Sequence, residues 1–394
     1  MKTMRPKRRT LILLGILSFI IYAVVATEIG PALPEIKTEM RVNEAIMGLI
    51  ASLQSLAGAF AMFGGFLSDK FGKVRVTSIS LWAIGLGSLM ISISSSIILL
   101  GIAFFTLGIG VGFFEASINA LVSDIFREKR GLAINILHVG WSVGSTVGPL
   151  LMTLMILLYR SWRLGYLVVF PIFVMLPFVL WVVTKEIFNE IDAKSELSNR
   201  SMVCRLTSTL KVLPLLFLSF LLISCNLGIS TWLPTILLDQ GGSLLESSLT
   251  VSMFWALVGL GRLAWAPFVD KFGYWRVLML GGFGSSLLMV LGSLSVPIYL
   301  KILLWAVSGF FLAPTYPTVI AWVTTSYPEF GGTLSGAVYT FATLGSFSST
   351  LLVGFIFSSF GSVAAQLIFP LIMGIVTIIS YLSRNYNTSK YPIS

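Results

Sequence analysis

Apolar residues gather in twelve long runs, at approximately residues 10–31, 46–67, 76–95, 97–121, 132–158, 164–183, 212–237, 248–268, 276–293, 297–323, 333–357 and 363–382. Each is close to the about 20 residues that a helix needs to cross a hydrocarbon layer about 30 Å thick. The pattern predicts an all-α integral membrane protein of twelve transmembrane helices. The first run is too long, and is followed by too many others, for a cleaved signal peptide. The longest polar interval holds Glu186, Glu190, Asp192, Lys194, Glu196 and Arg200, the mixed signs of a solvated linker. It divides the chain into a six-helix bundle over 1–184, a cytoplasmic linker over 185–211 and a second six-helix bundle over 212–394.

Composition narrows the classes of function. Of the 394 residues 56% are hydrophobic and only 11% charged, against about 25% charged in an ordinary soluble domain. A soluble enzyme, a disordered chain and a disulfide scaffold are thereby excluded. The net charge of +10 would suggest nucleic acid in a soluble protein. Here 21 of the 26 Lys and Arg residues fall on the side of the N-terminus when loops are assigned to alternate faces. That bias and an even number of spans predict both termini in the cytoplasm, in the cell membrane, with lipid rather than nucleic acid as the partner. Cys204 and Cys225 read as unpaired thiols. The lone His138, with no CxxC, anchors no metal site. With no Walker sequence and no nucleophile-His-acid arrangement, the expectation is a chain without cofactor or enzymatic activity, and no obligatory protein partner is evident.

A fixed offset of 201 residues relates the halves. It pairs Asp69 with Asp270, Lys70 with Lys271, Phe71 with Phe272, Gly72 with Gly273, Gly108 with Gly309, Gly131 with Gly332 and Gly144 with Gly345. Constant register over that distance argues for internal duplication with parallel topology. The loop after the second run reads Gly65-Phe-Leu-Ser-Asp69-Lys70-Phe71-Gly72-Lys73-Val-Arg75, and its counterpart reads Asp270-Lys271-Phe272-Gly273-Tyr274-Trp275-Arg276, with Ala266 at the position of Gly65. These loops resemble the cytoplasmic motif of the major facilitator superfamily: glycine, three residues, aspartate, basic, any, glycine, basic. The resemblance extends from about Leu11 to Leu382 and implies a secondary transporter that works by alternating access.

In these loops Gly72 and Gly273 permit a tight reversal, and Gly65 a close helix approach. Asp69 is placed to pair with Arg75. The resemblance adds Asp124 as a third member and implies a latch that breaks as the protein opens inward. Thr325 stands at the position equivalent to Asp124, so Asp270 and Arg276 are expected to latch less strongly.

Inside the runs two acids stand out. Glu115 lies nine residues, or about 13 Å, before Asp124, near mid-membrane. An acid there is a functional candidate by default, suited to gaining and losing a proton as access alternates. Permanent pairing with Asn119, one turn away, is the alternative. Glu28 lies in the outer half of the first run, before Gly30, Pro31 and Pro34, which can interrupt the helix. It is either a second proton or substrate carboxylate or a wetted helix end.

Gly112 to Ala120, which contains Glu115 and Asn119, with Asn135, His138 and Gly148-Pro149, resembles the fucose-proton symporter family and related sugar permeases. Those carry acids in helices one and four. His138, with Trp141 three residues on, is either a proton or substrate group or a packed histidine. Asn226, Trp232, Trp255, Tyr316 and Tyr339 complete the candidate substrate contacts, since aromatic faces stack on sugars and amides read hydroxyls. Trp232 and Trp255 are equally placed for packing. The resulting expectation is proton-coupled symport of a sugar or similar small polar solute, with proton-linked export of drugs or amphipathic metabolites as the alternative.

Overall fold

The computed structural model describes residues 6–125, 130–184, 212–326 and 331–385. The linker over 185–211, with Cys204, lies outside them. Hydrocarbon offers the backbone no hydrogen-bond partner, so a spanning segment must satisfy its own N–H and C=O groups. Among the described residues every long apolar run is accordingly helical. In chain order the helices are α1 Pro6–Thr27, α2 Ile29–Met40, α3 Glu44–Gly58, α4 Ala61–Phe71, α5 Lys73–Ile93, α6 Ile97–Ile125, α7 Arg130–Tyr159 and α8 Arg163–Thr184. There follow α9 Leu213–Asp239, α10 Leu244–Phe272, α11 Tyr274–Ser293, α12 Ile298–Leu312, α13 Thr315–Ser326, α14 Gly331–Gln366 and α15 Ile368–Leu382.

Among the described residues eleven helical stretches are long and apolar enough to cross a membrane, three of them built from the pairs α1–α2, α3–α4 and α12–α13. The chain is therefore a multi-pass membrane protein. The run expected over 363–382 is divided differently. Gly361 has φ +83° inside α14, and α15 itself is a 15-residue apolar helix.

The described helices form two compact units. One contains the chain to Val42 and from Leu49 through α8; the other contains Asn43–Gly48 and α9 to α15. Small residues set the spacing within each. A Cβ on Gly144 of α7 would overlap the carbonyl oxygen of Ile20 in α1, and a Cβ on Gly345 of α14 would overlap that of Phe220 in α9. Gly108 and Gly309 likewise face the carbonyls of Gln54 and Phe254. The glycines recur at an offset of 201 and the carbonyls they face at 200, so the same helix crossings are found in both units. The junctions repeat as well: Gly72 has φ +94° between α4 and α5, and Gly273 has φ +78° between α10 and α11. Only glycine adopts that backbone without strain.

A second device joins helix ends in each unit. In the first unit Arg163, at the start of α8, pairs with Glu39 of α2 at 2.7 Å and donates to the carbonyl of Ser94 at the end of α5. Trp162 donates to the same Glu39 carboxylate at 2.8 Å. In the second unit Gln366 accepts from Gln240 at the end of α9 and donates to the carbonyl of Ser293 at the end of α11. Lys301 donates to Gln240 at 2.6 Å. Glu39 and Gln240 are themselves 201 residues apart.

The crossings make a direct test. Gly144→Val and Gly345→Val should each force a helix pair apart and cost about 1–3 kcal/mol, the usual penalty of overpacking. Thermal unfolding of the detergent-purified protein measures it. Unchanged melting temperatures for both variants would contradict the close approach.

Candidate functional site

Glu115 stands in α6, ten residues before its end, and is 6% exposed. The helical repeat puts Asn119 one turn along on the same face, where its Nδ2 donates to Glu115 Oε2 at 3.0 Å and to the Glu115 carbonyl at 2.9 Å. The Tyr22 hydroxyl, from α1, donates to the same carboxyl. The Tyr22 ring meets Trp141 of α7 at 4.9 Å and Phe114 at 5.7 Å, and Phe19 meets His138 at 5.0 Å. Four candidates from the sequence, Glu115, Asn119, His138 and Trp141, are therefore gathered by α1, α6 and α7 of one unit. Tyr22 was missed because a lone tyrosine in an apolar run is also what packing or an interface would select. The side chain of Asn135 lies outside the described residues.

One acceptor in this cluster is left over. Asn119 Oδ1 is shielded from solvent and accepts no hydrogen bond among the described residues. A carboxyl held by two donors, an unused amide oxygen beside it and an aromatic wall can together hold a proton and a hydroxyl-bearing group.

Glu28 is elsewhere in the same unit. It is fully buried, and neither carboxylate oxygen accepts a hydrogen bond among the described residues. It lies against the first turn of α8, where a Cβ on Gly165 would be 3.8 Å from its carboxyl carbon. The expected wetted helix end is not observed. Nor is the helix fully interrupted, because Glu28 N bonds to Val24 O at 3.1 Å and Ala32 N to Glu28 O at 3.3 Å. Pro31 and Pro34 remove two N–H donors while the flanking ladder carries the chain through.

In the second unit the candidate aromatics are held by the bundle. Trp232, 1% exposed, donates to the carbonyl of Thr350 at 3.0 Å and packs edge-on to Phe357. Trp255 donates to Ser230 at 3.2 Å. Asn226 donates to Leu222 O at 3.0 Å. Tyr316 and Tyr339 are half-buried in α13 and α14.

In the first motif loop Lys73, one of the expected gating residues, forms an ion pair with Asp124, tying the start of α5 to the end of α6. Arg75 is exposed, because two further residues of helix turn it away from α6. The equivalent positions in the second unit are Tyr274 and Thr325, and their hydroxyls lie 3.3 Å apart. An ion pair in one repeat is thus a neutral hydrogen bond in the other. Arg276 donates to Phe272 O at 3.2 Å and lies over Trp275. Thr77 and Ser117 are bonded beside the ion pair at 2.9 Å. The second repeat has Leu278 and Thr318 there, and Thr318 Oγ1 is buried without a partner among the described residues. The side chains of Asp69 and Asp270 lie outside the described residues, and Gly65 is half-buried in α4.

The profile of the Major Facilitator Superfamily matches residues 11–350 and 239–394. The chain belongs to this superfamily. It is a secondary transporter of the alternating-access type. Among its relatives in the superfamily, the cis,cis-muconate transport protein of Acinetobacter baylyi is 25% identical over 354 residues, covering 83% of this chain and 82% of that one. The hexuronate transporter of Bacillus subtilis is 27% identical over 262 residues, covering 62% and 60%. A solved structure, the bacterial homolog of the human lysosomal transporter Spinster in an inward-facing and occupied conformation, aligns with a TM-score of 0.77. It is 14% identical and covers 99% of this chain and 100% of that one.

The Tyr22 contacts separate two effects that one substitution would confuse. Tyr22→Phe deletes only a donor and should cost about 1 kcal/mol, whereas Tyr22→Ala also opens a cavity among the rings and should cost about 3–5 kcal/mol. Equal melting temperatures for the two variants would show that the ring carries no packing load.

Proposed function

We propose that this superfamily member couples proton entry to uptake of a sugar or similar small polar solute. It does so with twelve spans in two duplicated bundles of six and with both termini in the cytoplasm. The observation that carries the reading is the Glu115 cluster: a titratable group deep in a membrane helix, held by Asn119 and Tyr22, beside an amide oxygen that still lacks a donor. Such a group is poised to exchange a proton while its neighbour reads a hydroxyl. The solute of the hexuronate transporter, a sugar acid by its name, is small and hydroxylated and agrees with this chemistry. Glu28 and His138 are reserve proton sites in this scheme. The Lys73–Asp124 pair, with Asp69, Arg75 and the second-repeat loop, serves as the cytoplasmic gate.

Glu115→Gln imitates a permanently protonated carboxyl and keeps its size. In proteoliposomes the variant should lose pH-driven accumulation while retaining solute binding and exchange between two filled compartments. Full pH-driven accumulation by the variant would eliminate Glu115 as the obligatory proton carrier. Solute driven out rather than in by an inward proton gradient would instead establish the export mechanism.

The gate can be ranked between repeats. Lys73→Gln removes an ion pair whose two side chains are 11% and 28% exposed, whereas Tyr274→Phe removes one neutral hydrogen bond. In correctly inserted protein, distances between spin labels at the cytoplasmic ends should shift severalfold more in population for Lys73→Gln. An equal or larger shift for Tyr274→Phe would reverse the ranking.

A further inference from the structure

α1 and α2 share one spanning stretch, Thr10–Met40, and Glu28 is the residue between them. It follows Tyr22 by six residues, about 9 Å of helical rise, so it sits at another level of the unit from the Glu115 cluster. An acid inside a spanning stretch is a functional candidate by default.

α8 is shaped around this acid. A Cβ on Gly165 would come 2.8 Å from Met152 Sδ of α7 and 3.8 Å from the Glu28 carboxyl carbon, so the backbone of α8 closes over both. The next residue, Tyr166, is fully buried, as Glu28 is. Its carbonyl accepts from Ser88 of α5 at 2.7 Å, and its ring meets Phe104 of α6 edge-on at 6.3 Å. Two helices thereby fix the tyrosine, whose hydroxyl is within electrostatic reach of Glu28.

Three oxygens remain over. Neither carboxylate oxygen of Glu28 nor the Tyr166 hydroxyl makes a hydrogen bond among the described residues. A fourth is supplied by the main chain, because Pro31 has no N–H to offer the carbonyl of Thr27, the residue before Glu28. Buried charges are paired or coordinate a metal. The one Lys or Arg of α8, Arg163, is engaged with Glu39 and the Ser94 carbonyl, and α7 has neither beyond Arg130. Oxygens on opposite sides of a shared hard cation stand further apart than a hydrogen-bonded pair, which is how Glu28 and Tyr166 are related.

We infer that Glu28, Tyr166 and the Thr27 carbonyl hold a sodium ion, a cation site separate from the Glu115 cluster. One carboxylate balances one monovalent charge, whereas a divalent ion would leave net charge buried. A donor set of oxygens alone suits a hard ion rather than a soft metal. A proton competes for the same carboxyl, so the ion is held more weakly as pH falls. The titratable group that faces Glu28 from α8 is Tyr166, while α7 brings Met152 and α1 brings Thr27. Such a site adds a second coupling ion to the proposed proton transport, and its occupancy does not require the solute.

The test uses full-length protein in phosphatidylcholine nanodiscs, freed of sodium in N-methylglucamine chloride. Sodium or potassium chloride then replaces that salt at constant ionic strength, and melting temperature and saturable binding of radiolabelled sodium are read at several pH values. Sodium should raise the melting temperature by mass action, potassium should not match it, and acid should weaken sodium binding. Glu28→Gln should weaken that binding at least about tenfold, and Tyr166→Phe, which keeps the ring against Phe104, about fivefold. Equal shifts with sodium, potassium and additional N-methylglucamine chloride would be an ionic-strength effect and overturn the inference. So would sodium affinity unchanged in both variants, or lost in Glu115→Gln and kept in Glu28→Gln. A melting temperature that follows pH through Glu28 but ignores sodium would leave a proton site alone and overturn it too. Proton-driven solute uptake by protein that binds no sodium would sink the ion site and leave the proposed transport standing.

Discussion

Apolar helices in lipid gain little by meeting one another, because the surrounding chains are as apolar as their side chains, so association depends on how closely backbones can approach. In both units that approach is made where a glycine of one helix lies against a carbonyl of another, as Gly144 does at Ile20 and Gly345 at Phe220. The placement of every polar group follows. Once α1 and α7 touch at Gly144, the rings of Tyr22 and Trp141 must meet, and Tyr22 is brought to the carboxyl that α6 supplies.

The spans were legible because they are a matter of length and hydropathy, and the matched glycines of the two halves because glycines at backbone contacts tolerate no substitute. Glu115 and Asn119 were legible for a related reason: a carboxyl amid apolar residues has few explanations, and a spacing of four fixes its neighbour on a helix. What failed needed knowledge of which helix lies beside which. That Lys73 is the residue paired with Asp124 turns on the rotation of α5 against α6. The Tyr22 contact turns on α1 packing against α6. The burial of Glu28 turns on α8 covering a helix that two prolines had suggested was open.

The two repeats keep geometry while changing chemistry. Lys73 and Asp124 become Tyr274 and Thr325, and the Thr77–Ser117 bond becomes Leu278 beside an unsatisfied Thr318. Charge at the motif ends of the helices is thus concentrated in one half. The Glu115 cluster is in the same half. Two units with matching helix crossings in this way hold different ionic groups.

The clasps at the helix ends carry a separate consequence. What both copies conserve in space is a donor for a main-chain carbonyl at the end of a helix, Ser94 in one and Ser293 in the other. A guanidinium meets that demand in the first and an amide in the second, so the joint requires a donor and is indifferent to its charge. The charge at such a joint can therefore be changed without loosening the helix ends that it holds.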